Sequence, residues 1–246
     1  ESATAQMSSG AVKLATGVAE QGGSVTVQTG DGTLTSGNIN VKVGKSTTTG
    51  GDISMAAGAS INTGGSILLR SGKSESGSSG EIQGMTSSSS RGNSGAIGLR
   101  TGDSAEGYTG AIDMSSGSSL TKSGAIDLHA GHASAGIGGS IILSGGSSHT
   151  STGGHIIMNS GPSAEGSSGA IYLATLDSES SAGASGNIAV KTGRATEGRS
   201  GDVTVRTGAS TGTKSGTVSV NAGHSDASAG GDITISAGDS ASSTGG

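Results

Sequence analysis

The sequence predicts an all-β fold, a single-domain parallel β-solenoid (β-helix) of about sixteen coils with mostly 14–15 residues per coil. Its expected cross-section is narrow and flattened. Three observations lead there: a short phrase that recurs along the whole chain, strict apolar alternation inside each phrase, and glycine at both ends of it.

The phrase is plain in SGTVSVNAGHSDASAGGDITISAG, residues 215–238, where TVSVNAG and DITISAG repeat one rhythm. With the first apolar residue as position zero, it falls at Val12, Val25, Ile39, Ile53, Ile67, Ile82, Ile97 and Ile112, then at Ile126, Ile141, Ile156, Ile171, Ile188, Val203, Val218 and Ile233. Nine of the fifteen intervals are 15 residues, four are 14, one is 13 and one is 17, so no second domain is needed. The expected organisation is an N-terminal lead-in over 1–9 and a continuous array over 10–246, either part of a longer chain or one unit of an end-to-end filament.

Position zero is always Val or Ile, β-branched residues suited to a pleated surface. Position +2 is apolar in every phrase but one, where Gly84 intrudes, and position +4 is usually small. A spacing of two places these side chains on one face of a strand, whereas a helix needs spacings of three and four. Glycine stands at −2 in all sixteen phrases and at +5 in fourteen, with Ser87 and Leu176 the exceptions, which reads as a backbone corner at each end. Position +7 is Ser or Ala everywhere except Gly32. That restriction on size reads as a residue facing inward across a narrow interior.

The energetics favour stacking. Two buried aliphatics supply roughly 3–6 kcal/mol per phrase, while ordering fifteen backbones costs on the order of 15–30 kcal/mol. One phrase cannot fold alone. Phrases piled coil on coil would pair their peptide groups and build continuous apolar columns. The irregular phrase at Ile82, with Gly84, Met85 and Ser87, and the 17-residue interval near Leu176–Gly186 read as local loops.

Composition removes several classes of function. Among 246 residues there are 50 Gly, no Phe, Trp or Cys, two Tyr and one Pro, so the aromatic payload of an ordinary core is missing. Net charge is −5 with both signs scattered, which argues against nucleic acid or anionic lipid as partner. No apolar run reaches membrane-spanning length. The start at Glu1, without Met or a signal peptide, reads as a removed leader or a window on a longer chain.

His129 and His132 form HAGH, but at +3 and +6 they point apart, and His149 and His155 fall at other positions, so no zinc set converges. Asp113 and Asp127 share position +1 in neighbouring phrases, and GGDI occurs twice, yet the calcium repeat of nine residues is absent. Glu106, Glu165 and Glu197, all at +9, spread along the array as exposed turn residues rather than a carboxylate pair. The expectation is a non-enzyme with no catalytic residues, no metal and no cofactor. Ice binding needs a flat ladder of outward Thr, and the outward positions here are mixed and charged. Ile142, Ile157 and Tyr172, outward at +1 in successive phrases, form the one candidate lateral contact strip.

SGNIAVKTG, SGDVTVRTG, SGAIDLHAG and GGDITISAG together resemble Gly/Ser/Thr-rich tandem-repeat proteins of extracellular surfaces, such as those of microalgae and related protists. The resemblance is one of repeat style and covers the whole chain. It implies a structural building block of an extracellular filament or surface appendage, partnered by its own copies end to end or laterally. An adhesive or glycan-binding stalk, with glycans as partners, is the alternative, and an ice-binding protein a more distant one.

Overall fold

The structure is a computed structural model, and it describes residues 10–180, 183–241 and 244–245. The expected lead-in over 1–9 lies outside the described residues. The chain divides into two units, Glu1–Gly124 and Ala125–Gly246.

The β-solenoid is not what forms. Among the described residues there is no strand and no helix, and no residue is buried. Ile171, the least exposed residue at position zero, keeps 51% of its surface in solvent. The accessible area is 25048 Å², against about 9,600 Å² for a compact protein of this mass and about 33,000 Å² for a fully unfolded one. Neither the stacked coils nor the inward-facing apolar columns are present.

The reason lies in the second half of each phrase. A coil requires residues +5 to +12 to cross back beneath the strand, about 17 Å for five residues. Here that segment closes on itself. Gly65 donates its N–H to the carbonyl of Gly58 at 2.9 Å, and Gly80 to Gly72 at 3.0 Å. Gly139 pairs with Gly131, Gly154 with Gly146, Gly169 with Gly161 and Gly231 with Gly223 in the same way. Each phrase therefore begins where the one before it ended, and its Ile or Val does not rest on its predecessor. The roughly 3–6 kcal/mol of apolar burial per phrase goes unrealised.

Within a phrase the alternation survives. Gln83 Nε2 donates to Glu81 Oε1 at 2.8 Å, and Asn221 Nδ2 to Ser219 Oγ at 2.7 Å. Both bonds join residues two apart on the same side of the segment. The period-two reading holds locally even though no sheet is built on it.

In the first unit the phrases from Val12 to Ile53, and the Ile112 phrase, bend over two residues, as at 33–34 and 61–62. Those starting at Ile67, Ile82 and Ile97 bend over three, as at 75–77. The two-residue bends belong to intervals of 13 or 14 residues and the three-residue bends to intervals of 15. The second unit is almost wholly of the three-residue kind, with bends such as 164–166 and 226–228. It also holds Gly136, at φ 112°, the one positive-φ residue among those described.

Candidate functional site

The feature built repeatedly is a closed loop with a neck of two glycines and a serine inside. The neck explains the glycine at −2. A Cβ placed on Gly23 would lie 3.2 Å from Thr16 Cγ2, and one on Gly37 would lie 3.3 Å from Thr29 Cγ2. On Gly139 it would meet Ala130 Cβ and the Gly131 nitrogen, both at 3.1 Å. In each case the opposing residue stands at +4 of the preceding phrase. A +4 side chain stands within 4 Å in thirteen of the fifteen necks, tightly in seven of them and at ordinary van der Waals distance in Gly80, Gly95, Gly110, Gly169, Gly201 and Gly231; Gly154 instead faces the Gly145–Gly146 backbone, and Gly124 faces nothing within 4 Å.

A backbone hydrogen bond across the neck occurs only where the +4 residue is small, although Ser116, before Gly124, is small and has none. The six necks carrying a backbone hydrogen bond have Ala57, Ser71, Ala130, Gly145, Ser160 or Ala222 at +4. A β-branched residue there stands its Cγ against the glycine instead. Val43 does so, with Cγ1 3.0 Å from a Cβ placed on Gly51, and at 39% it is the least exposed of the large apolar side chains. Thr16 and Thr29 add a hydroxyl donated to the carbonyl of the facing glycine, at 3.4 and 3.3 Å.

Position +7 is corrected by the structure. It does not face across a coil; it sits inside its own loop. Ser74 Oγ accepts the N–H of Gly77 at 2.9 Å, Ser104 that of Gly107 at 3.0 Å and Ser163 that of Gly166 at 2.9 Å. Ser89, Ser148, Ser210 and Ser225 likewise accept from the residue three on. Ser46, Ser60 and Ser119 accept from the residue two on. Those three belong to 14-residue intervals and the other seven to 15-residue intervals, so loop length selects which amide the hydroxyl takes. Ser is suited to this because its short side chain copies a backbone turn.

The half-buried residues among those described are Ser71, Thr101 and Ser160 at +4, and Ser74, Ala133, Ala195 and Ser225 at +7. The interior is thus the loop's own, which is why Ala also serves at +7. The exception, Gly32, is explained by the same crowding, since a Cβ there would overlap the Thr35 carbonyl oxygen. The recurrent glycine at +10 (Gly77, Gly92, Gly107, Gly136, Gly166, Gly198) was the available sign of such a turn, and the reading of +7 as inward passed over it.

The long interval after Ile171 keeps the neck, with a Cβ on Gly186 3.3 Å from Thr175 Cγ2. Inside it, Gly183 donates to the Ser180 carbonyl at 3.2 Å. Residues 181–182 of that expected bulge lie outside the described residues.

No group of three or more His, Asp or Glu able to hold a metal occurs among the described residues, His129, His132, His149 and His155 included. His224 Nε2 lies 3.2 Å from Asp226 Oδ1, and Arg199 donates to Asp202 at 2.7 Å, both pairs well exposed. Exposed pairs of this kind add little. One open depression lies against Arg206, Thr207, Gly208 and Ala209, four consecutive residues with no wall opposite. Ile142, Ile157 and Tyr172 are exposed at 82%, 75% and 90%. Every large apolar side chain described is exposed, from 39% at Val43 upward, and several others, such as Val12 at 87% and Ile235 at 93%, match these three, so exposure does not single them out. No helix among the described residues is long and apolar enough to cross a membrane.

Comparison of the chain with protein-family models, with curated proteins and with solved structures gives no match in any of the three.

Proposed function

We propose that the chain is a non-catalytic structural protein, a repetitive building block of an extracellular filament or surface appendage that associates with its own copies. The observation that carries this reading is the uniformity of the array. Fourteen of the fifteen described intervals bring their ends together into a loop, and the phrases present a pair of aliphatic side chains, open to solvent, in every case but the Ile82 phrase, where Gly84 replaces the second. A catalytic site needs unlike groups brought to one place; a polymer needs like groups repeated at intervals.

The exposed aliphatics supply the drive for association. Monomeric proteins rarely leave contiguous apolar patches above a few hundred Å² uncovered. The loops supply tolerance, because insertions of one to three residues change the loop and leave the segment from −2 to +5 intact. Electron microscopy of purified protein over a concentration series tests the reading. Thin fibres or sheets lengthening with concentration are expected, and monodisperse single chains at every concentration would overturn it.

A further inference from the structure

Gly32 is the one residue at +7 that is neither Ser nor Ala, and the residue before it is Asp31. Together they make the one Asp–Gly sequence in the chain; every other Asp precedes Ser, Ala, Val, Ile, Leu or Met, and no Asn precedes Gly. The loop itself calls for glycine there. A Cβ at residue 32 would overlap the Thr35 carbonyl oxygen and stand 2.6 Å from the Thr35 carbonyl carbon. The demand of the turn thus leaves the Gly32 nitrogen with no Cβ beside it to hinder its approach to a neighbouring group.

Both reacting groups are open. Asp31 and Gly32 are exposed, and no helix or strand among the described residues holds the backbone there. The Asp31 carboxyl has no hydrogen bond or ion pair, whereas Asp202 is held by Arg199 and Asp226 by His224. The Gly32 N–H donates to no backbone carbonyl and, with no serine at +7, lies in a loop without that cap.

We infer that Asp31–Gly32 is a spontaneous modification site, where the chain passes through a succinimide ring to isoaspartate. The Gly32 nitrogen attacks Cγ of the protonated Asp31 carboxyl. The N–Cγ bond forms, and the amide proton and the carboxyl hydroxyl leave together as water. Water then adds to either ring carbonyl. Addition at Cγ breaks the new bond and restores Asp31. Addition at the main-chain carbonyl breaks the original peptide bond and leaves the chain running through Cγ. One water is lost and one gained, so mass is unchanged, and water is the sole co-reactant.

The isoaspartyl link places one more carbon in the main chain directly before Gly32. Gly32 already stands against Thr35, so the added atom displaces that approach. The neck it belongs to, where Thr29 Oγ1 donates to the Gly37 carbonyl at 3.3 Å, opens with it.

Ageing the full chain in mildly acidic, heavy-oxygen water tests this. The tryptic peptide over 14–42 carries Asp31 as its one Asp. A second form of it is expected, carrying heavy oxygen and resistant at residue 31 to a protease that cuts before Asp. It should accumulate about tenfold faster than isomer at Asp103, Asp177 or Asp239, each followed by Ser, a barrier difference of about 1.4 kcal/mol. Asp31→Glu keeps the charge but needs a larger ring, and should abolish the second form. The Thr29 and Gly37 amide resonances should shift in step with it. No isomer at residue 31, or equal accumulation at the Asp–Ser sites, overturns the proposal, and unshifted Thr29 and Gly37 overturn the opening of the loop. Fibre formation does not enter the readout, so the inference fails or stands apart from the structural role.

Discussion

The N–H of Gly139 donates to the carbonyl oxygen of Gly131 across 3.0 Å, and this bond closes a loop of which Ala133 is the half-buried interior. Gly139→Val is expected to break it. A Cβ at residue 139 would stand 3.1 Å from both Ala130 Cβ and the Gly131 nitrogen, and the branched methyls add to the crowding. The loss amounts to about 0.5–1.5 kcal/mol for one net hydrogen bond. Hydrogen exchange at the residue 139 amide, read by NMR, should rise toward the rate of an unprotected peptide. An unchanged rate would mean that the neck is not held by this contact.

Ser74 tests the loop interior. Ser74→Ala removes the acceptor of the Gly77 N–H, now 2.9 Å away. The Gly77 amide should then exchange faster by a few-fold, consistent with a hydrogen bond at the weak end of the range, about 0.5 kcal/mol. Ser74→Asp, which keeps an oxygen acceptor, should restore most of the protection. If Ala and Asp behave alike, the hydroxyl is not the cap.

Loop length should dictate the amide chosen. Deleting Ser78 turns the 15-residue interval between Ile67 and Ile82 into one of 14. The amide bonded to Ser74 Oγ is then expected to move from residue 77 to residue 76, matching the bonds at Ser46, Ser60 and Ser119. Amide temperature coefficients across 74–80 report the change. Continued protection of residue 77 would contradict the rule.

Gly32→Ala should be worse tolerated than Gly→Ala at an open position such as Gly44. At Gly32 the new methyl meets the Thr35 carbonyl, while at Gly44 nothing lies within 4 Å. Chemical shifts over 30–37 should move in the first variant and stay in place over 44–51 in the second. Equal perturbation of both would show that Gly32 is free of the crowding described.

How much of this could be read from residues alone divides along the phrase. The alternation from Ile82 or Val218 was legible, because side chains two apart share a side whether or not a sheet forms, as the Glu81–Gln83 and Ser219–Asn221 bonds show. Glycine at −2 was legible as a close approach, though its opposing residue, such as Thr16 or Ala57, could not be named. The solenoid was the wrong inference from the right period. A 15-residue repeat is compatible with a coil that crosses back and with a loop that closes, and the choice depends on whether residues such as 73–79 extend or turn. Ser74 and Gly77 together favour the turn. The size restriction at +7 was misassigned because a narrow interior between sheets and a tight loop both demand Ser or Ala.

Residue-by-residue hydrogen exchange on dilute, unassembled protein tests the central claim most directly. The account predicts slowed amides at Gly65, Gly80, Gly139, Gly154, Gly169 and Gly231 and at the serine-capped turns, with amides beside Ile53, Ile67, Ile141 and Val218 exchanging as in an open chain. Slow exchange running through those Ile and Val segments in the single chain would mean that they pair with one another, and would contradict it.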